Sequence, residues 1–254
     1  MRNERSGGSA RSGGSARNGG SVIWFEQEAH AVRLDWGQDG AARAGARGDV
    51  VIIVDTLRFS TSVAAHVAAG ATVEPRHWKE GADTSLLSPP PRGYPAGARA
   101  LLSLASPNGA MCCRAASTSG ARAIFAGALV NASAVAAAAR ALKPPLTVIA
   151  CGEKWPDGSL RFALEDLLSA GAIVAALGNL SSSPEAKSAR AAFLSARSQL
   201  PTRLLTCGSG IELVEKGKEA DVHYAAQLDF LSVAPRLHEG IFSNSLASSD
   251  RILQ

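Results

Sequence analysis

One stretch of the chain constrains its fold more than any other. Val50-Val51-Ile52-Ile53-Val54 is an unbroken apolar, β-branched run set between two carboxylates, Asp49 and Asp55. A strand with one wet face alternates polar and apolar residues. A run with no polar position is buried on both faces, which requires a parallel sheet covered by helices. Thr56-Leu57-Arg58-Phe59-Ser60-Thr61-Ser62 and an Ala/Val-rich segment closed by Gly70 come next. Ser60 or Thr61 can cap a helix there, and Gly70 can end it. The run therefore predicts a central strand that hands over to a helix at Asp55 and Arg58. In open α/β sheets that edge is where ligands bind. A purely structural reading is also available, in which Asp55 caps the helix and Arg58 pairs with it.

The rest of the chain repeats the alternation of strand, loop and helix. Strands are predicted over 22–26, 32–36, 71–74 (stopped by Pro75), 99–105, 123–126, 146–150 and 203–206. Helices are predicted after the loop Ser106-Pro107-Asn108-Gly109 to about Ser119, from an Asn131 cap to Leu142, and over 160–176, 184–200 and 209–216. Residues 37–48 read as a loop or short helix, and 221–230 has no clear type. This rhythm predicts an α/β fold, a three-layer α/β/α domain with a largely parallel or mixed sheet over 21–254. Residues 1–20 are different. Arg-Ser-Gly-Gly-Ser-Ala occurs there twice in tandem, and Gly/Ser composition predicts a flexible leader. Residues 76–98, with Ser88-Pro89-Pro90-Pro91 and Tyr94-Pro95, predict a long surface loop.

Composition removes several classes of function. The net charge of +4 is carried in good part by Arg2, Arg5, Arg11 and Arg17, and no basic stripe interleaved with aromatics follows. Nucleic-acid binding is not expected. No apolar run is long enough for a membrane span, and no secretory signal is seen, so a cytoplasmic protein is expected. Cys112, Cys113, Cys151 and Cys207 fit no zinc spacing and read as buried thiols. The five histidines show no metal-ligand spacing either, and His66 reads as a packed residue.

Polar residues of useful types gather at the predicted strand ends: Asp55 and Arg58, Asn108 and Gly109, Asn131, then Gly152, Glu153, Lys154 and Ser159, with Glu165 and Asp166 in the following helix. Carboxylates with amides suit a hard cation such as Mg²⁺, and Arg58 with helix-start N–H groups suits a phosphate or sulfonate. Together they predict metal-assisted phosphoryl transfer. Each piece also has a structural reading: Asn131 as a helix cap, Pro107-Asn108-Gly109 as a turn, and Glu165-Asp166 as a solvated face of which one residue points at the site. Other templates fail. Leu57 stands where a haloacid-dehalogenase-type phosphatase needs a second Asp. There is no Gly-x-x-x-x-Gly-Lys-Ser/Thr loop and no Gly-x-Ser-x-Gly elbow. Cys151 lacks the flanking pattern of a cysteine-dependent amidohydrolase.

Several of these segments carry a family likeness. The stretch from Val50 to Ser62 resembles the first signature of the 2-phosphosulfolactate phosphatase family of coenzyme M biosynthesis. Ser106-Pro107-Asn108-Gly109-Ala110 resembles that family's Asn-Gly motif, and Gly127 to Ala136 its Gly-x-x-x-Asn-Ala segment. Ala150 to Asp166 resembles its segment ending in Leu-Glu-Asp. Cys207-Gly208-Ser209-Gly210-Ile211-Glu212-Leu213 and Ala225-Ala226-Gln227-Leu228-Asp229 resemble its C-terminal markers. The motifs run in order over nearly everything after the leader. The resemblance implies Mg²⁺-dependent hydrolysis of a phosphate monoester, an α/β fold of its own type, and a homodimer. By position it implies Asp55, Arg58 and Glu165 as catalytic residues and Asp55 with Asp166 as metal ligands. Ser60, Asn108, Gly109, Asn131, Gly152 and Ser159 would line the substrate site. Asp55 as nucleophile and Asp55 as metal ligand are both open. The chain leaves the family pattern over 76–98 and at Ile211, where many members carry Arg. Both departures bear on substrate more than on fold. The expected activity is that of a phosphoric monoester hydrolase acting on 2-phosphosulfolactate or a related compound. The alternative is an inactive small-anion-binding protein on the same scaffold.

Overall fold

The computed structural model describes residues 24–77, 85–89 and 100–245. The leader over 1–20, and most of the loop expected over 76–98, including Glu80 and Asp83, lie outside the described residues. The chain enters through a 3-10 turn at Trp24–Glu26 and then strand β1 (Val32–Trp36) and helix α1 (Gly37–Ala46). β2 (Val50–Val54) is the apolar run, and all five of its residues are buried. α2 (Phe59–Ala68), β3 (Thr72–His77), β4 (Leu101–Ser106), α3 (Gly109–Thr118), β5 (Ala123–Ala126), α4 (Ala132–Ala141) and β6 (Leu146–Ala150) follow. A small hairpin of β7 (Glu153–Lys154) and β8 (Leu160–Arg161) leads to α5 (Leu164–Ala176). The helices α6 (Pro184–Ala196), α7 (Leu200–Thr206), α8 (Gly208–Glu215) and α9 (Glu219–Ala225) precede the strands β9 (Pro235–His238) and β10 (Ile241–Asn244).

Among the described residues the main sheet has eight strands in the order β1-β6-β2-β5-β9-β10-β3-β4. β1, β6, β2 and β5 are parallel, with Val50–Val54 in register against Leu146–Ala150 on one side and Val50–Ile53 against Ala123–Ala126 on the other. β9 and β10 join antiparallel, and β3 and β4 are again parallel to each other. The mixed α/β/α architecture is the expected one. β2 buries its two faces in two cores, as a strand of period two must. Val50, Ile52 and Val54 pack with residues of α4, α5 and α6, such as Val135, Leu168 and Phe193. Val51 and Ile53 pack with Ala41 and Ala44 of α1, Phe59 and Val63 of α2, Cys113 of α3, and Val73 and Leu104 of the far strands.

That second core reports a strong curl. β4 lies five places from β2 in the sheet, about 24 Å away if the strands lay flat at their usual spacing. Yet the Ser106 hydroxyl, at the end of β4, donates to Asp55 at 3.1 Å. The sheet therefore wraps around α2 and α3 until its far end meets the end of β2.

Several local expectations are corrected. Trp24–Glu26 is a 3-10 turn, not part of a strand over 22–26. β3 runs through Pro75 to His77, because β10 pairs with β3 at Val73 and leaves that edge open beyond it. The strand expected over 203–206 is the end of α7, where Pro201 opens the helix and Leu200 and Leu204, four apart, face the core. Leu160 belongs to β8, and α5 begins only at Leu164. Residues 219–225 are helical. No described helix is long and apolar enough to cross a membrane.

Candidate active site

The site is built on the end of β2. Asp55 is buried, and its two oxygens take three hydrogen bonds: Oδ1 from the Phe59 N–H at 3.2 Å, Oδ2 from the Gly109 N–H at 2.9 Å and the Ser106 hydroxyl at 3.1 Å. Gly109 is required here. A Cβ on it would lie 2.2 Å from the Phe59 ring and 2.8 Å from Asp55 Oδ2. Asp55 thus caps α2, while the start of α3 caps Asp55. Ser106 holds the Asn108 and Gly109 N–H groups at 3.2 and 3.0 Å, fixing the loop that delivers them.

The neighbouring residue, Thr56, ties β2 to α5. Its N–H donates to Asp166 Oδ1 at 2.8 Å, and its hydroxyl bridges to Ser169 at 2.8 Å. The other oxygen of Asp166 accepts the Gly152 N–H at 2.9 Å. Gly152 has φ +66°, and a Cβ there would meet Leu160 at 2.7 Å and the Arg161 carbonyl at 2.9 Å, so only glycine fits under the hairpin. Glu165 and Asp166 are both buried, where the helical period let only one of them face the site. The buried Cys207, at the start of α8, lies close enough to Glu165 to feel its charge.

Above this floor lies a cavity of about 320 Å³. Asn108, Cys112, Cys151 and Glu153 line it on the side of the carboxylates, and Gln38, Asp39, Lys154 and Ser159 line its mouth. Asn108 Nδ2 donates to Glu153 Oε2 at 2.9 Å. Glu153 is fixed from the other side by its pairing with Arg161 across the hairpin.

The electrostatics follow from four carboxylates close together in a buried place. Burial raises Asp55, against the pull of its N–H and hydroxyl donors, and Glu165 pushes it further. Burial, then Glu165 and Asp55, hold Asp166 well above the usual carboxylate range. Burial and the Asp55 charge push Glu153 up to about 7, with the Asn108 amide and Arg161 drawing it down. The thiols feel the same field. Burial, Cys112 and the two aspartates push Cys151 well up, and burial with Glu165 takes Cys207 to about 12. Cys151 is therefore a thiol, not a nucleophilic thiolate.

Of the residues expected at the site, Asp55, Asn108, Gly109, Gly152, Glu165 and Asp166 are brought together. Ser159 is at the cavity mouth, exposed, with its hydroxyl on Asp157 at 2.6 Å. Three others stand elsewhere. Ser60 is fully buried, taking the Asp55 N–H at 3.0 Å and donating to the Ile53 carbonyl at 2.9 Å, so it fastens the strand end. Asn131 stands at the start of α4 but makes no side-chain cap bond to it; its Oδ1 accepts the Ala128 N–H at 2.9 Å and its Nδ2 donates to the Ala126 and Val233 carbonyls at 3.2 and 3.1 Å in the core. Arg58 pairs with Asp221 of α9 at 2.6 Å and with Ser88 at 3.1 Å rather than with Asp55. Glu153, one of the polar groups at the strand ends, and Ser106, part of the Asn-Gly motif, carry no assigned role in the sequence, and the structure puts both at the site. Asp157-Gly158 between Glu-Lys-Trp and Leu-Arg-Phe is a hairpin signal, and it would have marked Glu153 as held opposite Arg161.

The donors are hard oxygens and their negative charge is in surplus, which fits Mg²⁺ in kind. Among the described residues no three or more His, Cys, Asp or Glu side chains form a ready-made cage. Mg²⁺ commonly takes one or two carboxylates and completes its shell with water and substrate phosphate, so such a cage is not required.

A 2-phosphosulpholactate phosphatase family model matches residues 97–240, more than half of the chain. The matched span holds Asn108, Glu153, Glu165 and Asp166, and Asp55 lies ahead of it. A probable 2-phosphosulfolactate phosphatase of Carboxydothermus hydrogenoformans is 37% identical over 120 residues, 46% of this chain and 48% of that protein. One of Thermosynechococcus vestitus is 34% identical over 120 residues, 44% and 48% of the two chains. The similarity spans about half the length of these curated relatives.

Proposed function

The chain belongs to the 2-phosphosulfolactate phosphatase family, and on that footing we propose that it hydrolyses a small anionic phosphate monoester, 2-phosphosulfolactate or a related compound, to the 2-hydroxy acid and phosphate with Mg²⁺. The observation that carries this reading is a cavity of about 320 Å³ lined by Asn108, Glu153 and Lys154, where Glu153 feels the charge of the buried carboxylates Asp55 and Glu165. Carboxylates that repel one another and sit above their ordinary pKa are poised to take up a cation. Asp55 and Asp166, from β2 and α5, would hold Mg²⁺. The bound ion would neutralise charge on the phosphoryl oxygens. The chain's own part is orientation. The start of α3 fixes Asp55 through Gly109 and Ser106, and Asp166 spans Thr56 and Gly152, so neither carboxylate can swing. Asn108 presents its amide to the cavity. Lys154 is the one Lys or Arg lining this cavity among the described residues, and its ammonium would meet the substrate's second anionic group.

The test is phosphate release from 2-phosphosulfolactate by the full chain, with Mg²⁺ and with EDTA. Release that needs Mg²⁺, with a loss of roughly 100-fold or more for Asp55→Asn in a folded protein, supports the reading. Release indifferent to EDTA overturns the metal. Tight binding of the ester without turnover, across a panel of phosphate monoesters, turns the reading to a small-anion-binding protein.

A further inference from the structure

We propose that Glu153 is the acid–base residue of this site: its carboxyl gives a proton to the ester oxygen as that oxygen leaves phosphorus, with Asn108 as its positioning residue. The proposal rests on the phosphatase reading above. Three observations support it. Glu153 lines the cavity, whereas Asp55, Glu165 and Asp166 lie beneath it and are not among its lining groups. Its carboxyl is aimed by the Asn108 amide at 2.9 Å, and its backbone by the pairing with Arg161, so its position does not depend on a loose loop. The Asn108 bond goes to Oε2 and leaves Oε1 as the oxygen that can carry a proton toward substrate.

An alkyl ester needs such a donor. The alkoxide of a 2-hydroxy acid is a poor leaving group, and an acid near its reaching distance is worth about 10²–10⁴-fold. In the step, the bond from phosphorus to the ester oxygen breaks and its electron pair goes to that oxygen, which takes the Glu153 proton. Water oxygen forms the new bond to phosphorus. The extra proton of that water, carried first on the phosphate, returns to Glu153. The sum is ester and water to alcohol and hydrogen phosphate, with Glu153 unchanged.

Protonation at neutral pH fits the surroundings. Asp55 at the end of β2 and Glu165 at the start of α5 face Glu153 with negative charge, and burial adds to them. Arg161 of β8 and the Asn108 amide oppose them, and Asp39 and Lys154 stand at the mouth of the same cavity. Burial and the negative neighbours prevail, so the carboxyl holds its proton up to about pH 7.

Leaving-group dependence tests the assignment. Wild-type protein and Glu153→Gln are compared on 2-phosphosulfolactate and on 4-nitrophenyl phosphate, whose phenolate leaves without a proton. We expect Glu153→Gln to lose about 10²–10⁴-fold on the alkyl ester, and to lose at least roughly tenfold less on the aryl ester. In wild type, kcat/KM for the alkyl ester falls on the high-pH side as Glu153 loses its proton, and Glu153→Gln lacks that limb. Asn108→Ala removes a bond that favours the ionised carboxyl, so the limb moves to higher pH. Equal losses on both esters, or no loss on either, overturn the proposal while leaving the phosphatase reading in place. A wild-type protein inert on both esters overturns both.

Discussion

At the scale of single residues, the site shows how one carboxylate can be fixed and another left adjustable. Asp55 takes three donors and cannot rotate without losing one. Glu153 takes one side-chain donor, and its environment resists its charge. That resistance has a consequence for stability. Below its ordinary value of 4.5 the carboxyl is protonated folded and unfolded, and it costs nothing. As pH rises toward about 7 the unfolded chain releases the proton and the folded one keeps it, so stability falls through that window. The full loss from this group is at most about 3 kcal/mol. Glu153→Gln removes the titration. Denaturant unfolding at pH 5 and pH 8 therefore shows a smaller drop for the variant than for wild type, and a more stable variant at pH 8. An unchanged drop would mean that Glu153 ionises freely in the folded protein.

At the scale of elements, what the sequence could announce was whatever a local pattern carries. The unbroken Val50–Val54 run marks a strand buried on both faces because no polar side chain interrupts it. The Ala-rich segment before Pro144 marks α4 by its length and breaker. Arg203 misled because Leu204 and Leu205 suit strand and helix alike over so few residues, and only packing against α5 and α9 decides. Asp55, Asn108, Gly109, Glu165 and Asp166 were legible as candidates from their residue types at strand ends. Arg58 and Asn131 were misplaced because their partners, Asp221 and Val233, are 163 and 102 residues away. The carriage of Glu165 and Asp166 depends on how α5 seats on α6. Gly171 allows that seating, since a Cβ there would lie 2.1 Å from the Ala189 carbonyl oxygen and 2.8 Å from Phe193 Cβ. Ala in place of Gly gains about 1 kcal/mol of helix propensity. A clash with backbone at 2.1 Å cannot be relieved by turning a side chain, and overpacking costs about 1–3 kcal/mol or more. Gly171→Ala is thus expected to lower the melting temperature. A rise would show that α5 and α6 can part without cost.

At the scale of the whole molecule, the curl of the sheet is the step that no local pattern foretold. It brings the end of β4 to the end of β2, and the fold then gathers the carboxylate at the end of β2 and those of the hairpin and α5, about 100 residues further along the chain, into one place. Unfolding disperses them. An ion that Asp55 and Asp166 bind together is bound by the folded state alone, and it must stabilise that state in proportion to its occupancy. The gain is about 2.7 kcal/mol when free Mg²⁺ stands at 100 times its dissociation constant. The sign with pH follows from competition. Asp55 and Asp166, the two groups that would hold the ion, keep their protons above the ordinary carboxylate range, and Mg²⁺ must displace whatever protons remain. The rise in melting temperature with Mg²⁺ is accordingly larger at pH 8 than at pH 6, and it shrinks in Asp166→Asn at both. Thermal unfolding with Mg²⁺ or EDTA at the two pH values measures this without any substrate. A rise of equal size at both pH values would mean that the ion displaces no carboxylate proton over that range. No rise at all would mean that the carboxylates need the substrate's own oxygens before they can hold the ion.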